Sequence, residues 1–260
     1  VNEAIARENG TYAMVAMDQR ESLRTMFRDH GHDDSDERMR MFKTAVAREL
    51  APHASGFLVE PQFVDDVRPL VPRGLILAVD VLRQERGAPV EDTRLDELDR
   101  LPEGVSALKL LVIWRDDDRR AERIDMCERF VALAQRHDVL SVLEPVVRED
   151  HQIVEAAREL GATRPSLYKC QAPRRGDVVA RCREITRVLP VPWVVLSQGV
   201  PFDEFPRAVE DACKGGARGF LAGRALWTNT LAADDPTELL RTESVQRLQE
   251  LIELVDRYAA

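Results

Sequence analysis

Residues 107–147, ALKLLVIWRDDDRRAERIDMCERFVALAQRHDVLSVLEPVV, contain two short apolar runs separated by a charged, amphipathic stretch. The runs at 107–114 and 140–147 read as buried strands, and 116–137 reads as a helix. A strand, a helix and a second strand in that order form one β/α unit, the connection that parallel strands require.

The unit recurs along the chain. Strand-like runs lie at 11–18, 56–61 and 74–80 before the quoted stretch, and at 166–173, 192–199 and 219–226 after it. A helix is predicted over about 35–53, with Ser35 or Asp36 as N-cap. Others follow the later runs, ending near residues 160, 189, 214 and 258. Eight strand-like runs, each followed by helix-like sequence and with no linker or repeat between them, predict a single (β/α)8 TIM barrel over residues 1–260. An open doubly wound sheet would favour a glycine-rich phosphate loop after the first strand. Asp18-Gln19-Arg20-Glu21 stands there instead.

The net charge is -9, which argues against a nucleic-acid or membrane-surface binder, since either would need a basic face. No apolar run approaches the ~18 residues of a membrane span. The opening VNEAIARENG lacks the pattern of a signal peptide. Cys127, Cys170, Cys182 and Cys213 show no paired spacing and are expected to be reduced core thiols in a cytoplasmic protein.

Of the 37 basic residues only four are lysines. Lys43 and Lys214 lie in helix- or loop-like sequence and are expected to be solvated. Lys109 and Lys169 lie inside apolar strand-like runs, where an ammonium is costly to desolvate. Active sites of such barrels lie at the C-terminal strand ends, so polar residues within the strand-like runs or directly after them are informative. They are Asp18, Gln19 and Arg20, then Glu60, Asp80, Lys109, Glu144, Lys169 and Gln171, then Ser197, Gln198 and Arg224. Alternation puts Lys169 and Gln171 on one face, and Ser197 and Gly199 on one face. A buried lysine beside a second cation favours its free amine, which can attack a ketone and form a Schiff base. Lys109 would be the second cation, and Glu144 would shuttle protons. A structural ion network would also bury these three groups; their placement on consecutive strands favours catalysis. Ser197, Gly199, Gly223 and Arg224 suit an anion-binding site after the last two strands.

MVAMDQRESLRTMF, ALKLLVIWR, LSVLEPVVR, LYKCQAP, PWVVLSQGV, FPRAV and GFLAGRALW together carry a resemblance that spans nearly the whole chain. It resembles class I aldolases of the tagatose-bisphosphate aldolase type, and is more similar within them to the sulfofructose-phosphate aldolases of sulfoquinovose breakdown. The resemblance implies that Lys169 is the Schiff-base lysine, Glu144 the acid/base and Lys109 a supporting cation. Ser197, Gly199 and Arg224 would bind an anion, with Gln19 and Arg20 near the substrate's other end. The implied reaction is cleavage of 6-deoxy-6-sulfofructose 1-phosphate to dihydroxyacetone phosphate and 3-sulfolactaldehyde, without metal or cofactor; tagatose 1,6-bisphosphate is the alternative. Association into a homo-oligomer is also implied. Two positions depart from the family pattern. Cys170-Gln171 replaces Val-Glu after the lysine, and Gln198 replaces Ser or Ala between Ser197 and Gly199.

Two readings from other classes compete. His30 and His32 in DHGHDDSD could bind a metal in a barrel hydrolase, although they lie about ten residues beyond the first strand-like run. A non-catalytic sugar-phosphate sensor would keep the barrel and lose turnover.

Overall fold

The computed structural model describes residues 3–259. In chain order its elements are β1 (Tyr12–Ala16), α1 (Glu21–Asp29), α2 (Asp36–Leu50), β2 (Gly56–Val59), α3 (Val64–Val67), β3 (Leu75–Ala78), β4 (Asp80–Arg83), β5 (Asp92–Leu95), β6 (Val105–Ile113), α4 (Arg120–Arg136), β7 (Leu140–Val146), α5 (Ile153–Gly161), β8 (Leu167–Gln171), α6 (Val178–Val188), β9 (Trp193–Leu196), α7 (Phe205–Lys214), β10 (Gly219–Ala222), α8 (Arg224–Trp227), α9 (Thr237–Leu239) and α10 (Val245–Tyr258). Eight strands, in the order β1-β2-β3-β6-β7-β8-β9-β10, close into a parallel barrel. This is the TIM barrel expected from the sequence.

Local chemistry sets the helix starts. The Ser35 hydroxyl accepts from the Arg38 amide at the head of α2, and the Asp177 carboxylate accepts from the Ala180 amide at the head of α6. Outward strand side chains such as Val195, Phe220 and Leu110 pack against the helices in one continuous core. The barrel interior is a second apolar cluster that includes Met14, Leu58, Ile76, Ala107, Val142, Leu167, Val194 and Leu221. Ile5 and Ala6 close its lower end, where Arg73 donates to Ala6 O.

Three departures from the sequence reading matter for the site. First, the third run is not followed by a helix: among the described residues an antiparallel hairpin, β4–β5, occupies that connection. Second, the last strand ends at Ala222, so Arg224 opens the short helix α8 instead of lying in a strand. Third, Lys43 is not solvated. It is fully buried, and its Nζ donates to Met17 O (2.7 Å), Gln19 O (2.9 Å) and Glu60 Oε2 (3.0 Å). Burial pushes the Lys43 pKa down and the Glu60 pKa up. The pair ties α2 to the ends of β1 and β2.

Candidate active site

Side-chain parity builds the site. Within each barrel strand the inward positions are two residues apart. The step after Ala16 in β1 is Asp18, after Ala78 is Asp80, after Ala107 is Lys109, after Val142 is Glu144, and after Leu167 is Lys169. An apolar plug therefore gives way to a layer of charge toward the C-terminal end of the barrel. These five side chains line a cavity of about 530 Å³ at that mouth. A cavity of about 810 Å³ lies at the opposite end, but it contains neither of the buried strand lysines.

Lys109 sits at the centre of the layer and is 1% exposed. Its Nζ lies 2.8 Å from Asp18, 3.0 Å from Asp80 and 3.1 Å from Glu144 Oε2. Burial alone would pull its pKa down, but Asp18, Asp80 and Glu144 outweigh that and hold it well above the usual lysine value. Burial likewise pushes the Asp18 pKa up, yet Lys109 and then Lys169 hold it well below the usual carboxylate range. Lys109 is thus a fixed ammonium neutralised by three carboxylates, and not a free positive neighbour.

Lys169 is 4% exposed and donates to Glu144 Oε2 at 2.9 Å. Both lysines therefore converge on one oxygen of Glu144. Asp80 also accepts from the Leu111 amide and from Arg20, which additionally donates to Asp80 O.

The remaining sequence candidates divide. Gln19, Arg20, Gln171, Gln198 and Arg224 line the same cavity. Gln19 Oε1 is buried without a hydrogen-bond partner among the described residues, an acceptor that native structures seldom leave unmet. Gln171 has its amide engaged by the backbone, accepting from Val147 N (2.8 Å) and donating to Val147 O (3.3 Å). Ser197 does not line the central cavity. It borders a separate one beside α7, because Val194 and Leu196 take the inward positions of β9 and the next inward position is Gln198.

Gly199 and Gly223 shape the Arg224 side. Gln198 (φ 50°) and Gly199 (φ 76°) are both left-handed. A Cβ on Gly199 would stand 2.7 Å from the Arg224 guanidinium carbon. A Cβ on Gly223 would meet Ala16 O at 2.6 Å and the Gln19 amide nitrogen at 2.9 Å. No carboxylate of the described residues pairs with Arg224; burial lowers its pKa, with Glu144 and Asp18 pulling the other way.

His30 and His32 lie away from this layer. His32 Nδ1 is 2.8 Å from the Arg38 guanidinium, a cation that opposes metal binding. Among the described residues no three His, Cys, Asp or Glu side chains group as a metal would need, and no helix is long and apolar enough to cross a membrane.

Sequence reasoning passed over part of the cavity. The hairpin supplies Leu82, Gln84, Pro89 and Val90, β6 supplies Leu111 and Ile113, and Arg148 lies beyond β7. The position of Leu111 and Ile113, two and four residues past Lys109, was the available signal.

Comparison with known proteins gives a consistent set. The family model described as DeoC/LacD family aldolase matches residues 12–229. A tagatose 1,6-diphosphate aldolase of Listeria monocytogenes is 24% identical over 313 aligned positions, covering 99% of this chain and 91% of that protein. One from Streptococcus agalactiae is 24% identical over 322 positions, covering 99% and 95%. Among solved structures, fructose-bisphosphate aldolase from Plasmodium falciparum superposes with a TM-score of 0.74 at 12% identity, covering 100% of this chain and 94% of that one. An archaeal fructose-1,6-bisphosphate aldolase, with its catalytic lysine bound to a carbinolamine, gives 0.64 at 19%, covering 96% of each. These two structural likenesses carry the fold.

Proposed function

The chain belongs to the DeoC/LacD family of aldolases, and on that premise we propose that it cleaves a 2-ketose 1-phosphate through a Schiff base on Lys169. The observation that carries this reading is the buried Lys169–Glu144 pair, 2.9 Å apart at the floor of an open cavity.

Lys169 Nζ attacks the C2 carbonyl once it has passed a proton on, and Glu144 Oε2 is the acceptor within hydrogen-bond reach. Glu144 returns that proton to the carbinolamine hydroxyl, which leaves as water to give the iminium. Glu144 takes the C4 hydroxyl proton, the C3–C4 bond breaks, and its electron pair enters the iminium to leave an enamine and a free aldehyde. Protonation at C3 and hydrolysis release dihydroxyacetone phosphate and regenerate the amine. Lys109 keeps Asp18, Asp80 and Glu144 in register and compensates their charge during these transfers. Gln19 Oε1 offers an unmet acceptor to a substrate hydroxyl. The Arg224 guanidinium, packed on Gly199 and without a carboxylate partner among the described residues, suits the C1 phosphate. In this reading Ser197 is not an anion ligand, since it faces another cavity.

The Listeria and Streptococcus relatives support tagatose 1,6-bisphosphate as the substrate to try first. The sulfonated ketose rests on the sequence resemblance alone. The test is borohydride reduction in the presence of dihydroxyacetone phosphate, followed by peptide mass spectrometry. The expected result is a single adduct on Lys169, absent from a folded Lys169→Ala variant. No adduct on folded wild-type protein would refute the imine mechanism and favour a non-catalytic binder.

A further inference from the structure

We propose that the aldehyde half of the substrate is apolar next to its reactive carbon, in contrast to the hydroxylated aldehydes that both ketoses named above would release. The inference rests on the Schiff-base reading and concerns the other side of the same cavity.

The geometry follows from strand register. Leu111 pairs with Glu144 between β6 and β7, and Ile113 pairs with Val146. Toward the mouth, therefore, Leu111 and then Ile113 stand above Lys109, and Val146 stands above Glu144. Leu82, Pro89 and Val90 of the hairpin face the same space. Leu82, Val90, Leu111, Ile113 and Val146 are only half-buried, so they present apolar surface to the cavity. On the third strand, Gln171 stands above Lys169, but its amide is already bonded to Val147 N and O.

The reaction orients the substrate against this wall. The imine carbon is fixed at Lys169, and the phosphate arm reaches the Arg224 side, between β9, β10 and β1. Glu144 on β7 takes the C4 hydroxyl proton, so C4 lies by β7 and the atoms beyond it run along β6, β7 and the hairpin. A hydroxyl there would give up water for contact with leucine, isoleucine and valine side chains, and such contact is unfavourable without a hydrogen-bond partner. On this wall the polar groups are Gln84 and the exposed Arg148, which has no carboxylate partner among the described residues; Arg20, held on Asp80, and Ser22 line the cavity from the chain after β1. The wall therefore favours an aldehyde with an apolar body, and Arg148 leaves room for an anionic far end.

The test runs in the synthetic direction, with dihydroxyacetone phosphate as donor. The acceptors are glyceraldehyde and 2-methylbutanal, in which methyl groups replace both hydroxyls. The apolar acceptor is expected to have the higher kcat/KM, with a preference of about 100-fold, the scale on which an apolar pocket disfavours a hydroxyl. Leu111→Asn, which places an amide in the wall, is expected to shrink that ratio at least tenfold. A wild-type preference for glyceraldehyde, or a ratio unchanged in Leu111→Asn, would overturn the inference. If the Lys169 adduct forms in those same preparations, the Schiff-base reading survives that failure. If no adduct forms and neither aldehyde reacts, both fall together.

Discussion

Replacing Lys109 by methionine removes the ammonium that contacts Asp18, Asp80 and Glu144 at once. The contacts are 2.8, 3.0 and 3.1 Å. At an effective dielectric near 20, each is worth about 5 kcal/mol of Coulomb attraction. Burying the ammonium costs several kcal/mol, and Lys169 and Arg20 remain to compensate part of the lost charge. The net cost of removing one partner from such a buried set is about 3–5 kcal/mol. The pH dependence is the sharper signature. In the wild type the Asp18 pKa is depressed below its ordinary 3.8, so its contribution is fully present above that value and lost only as pH falls further. The Lys109 pKa is raised above its ordinary 10.5, so its contribution is present below that value and lost only at higher pH. The cluster thus leaves stability flat between pH 5 and pH 8. In Lys109→Met, burial takes over and the carboxylate pKa rises above its unfolded value. Stability is then highest in acid and falls as pH increases, by about 1.4 kcal/mol for each unit of the raised pKa. Urea unfolding of both proteins at pH 5 and pH 7 measures this. A variant as stable as the wild type, with the same dependence between the two pH values, would refute the reasoning.

Lys43→Met should lower stability by about 3–5 kcal/mol, because Glu60 would be left buried and unpaired; a loss below 1 kcal/mol in urea unfolding would show the pair to be dispensable. Gly199→Ala should raise KM for the phosphorylated ketose about tenfold with a smaller change in kcat, because the new Cβ displaces the Arg224 guanidinium from 2.7 Å away and removes about 1–2 kcal/mol of charge-assisted binding. Unchanged KM would remove Arg224 from the phosphate site. Gln171→Glu should cost about 1–3 kcal/mol at pH 7, since a carboxylate would face Val147 O where an amide N–H now donates; equal Tm values would contradict that.

The barrel was legible because short apolar runs alternate with amphipathic sequence along the chain, and because polar residues interrupt them at repeated inward steps. Lys109, Glu144 and Lys169 stood out since nothing in a buried strand accommodates such groups without partners. Ser197 was misplaced for a physical reason. Parallel strands are buried on both faces, so WVVLS shows no alternation from which the inward face can be read. Lys43 looked like a surface residue of an amphipathic helix; its partners Met17, Gln19 and Glu60 come from two other elements, and only the fold brings them near. The hairpin was missed because its strands are short and only partly buried, with charges at Arg83, Asp92 and Arg94 that read as loop. The helix α1 carried a fair signal in Leu23, Met26 and Phe27, three apolar residues at helical spacing, within a stretch whose charge dominates its composition.

The hairpin has a ladder of its own, in which Asp80 pairs with Leu95 and Arg83 with Asp92. It is joined to the barrel by the Asp96 amide on Val79 O and by the contacts of Asp80. Leu82 and Gln84 look into the cavity, while Val81 and Arg83 look away. One inserted residue after Asp80 would exchange those faces, because side chains alternate along a strand. Selection could therefore rewrite what the protein accepts as its second fragment in one insertion, and the lysine and glutamate on the parallel strands would be inherited untouched.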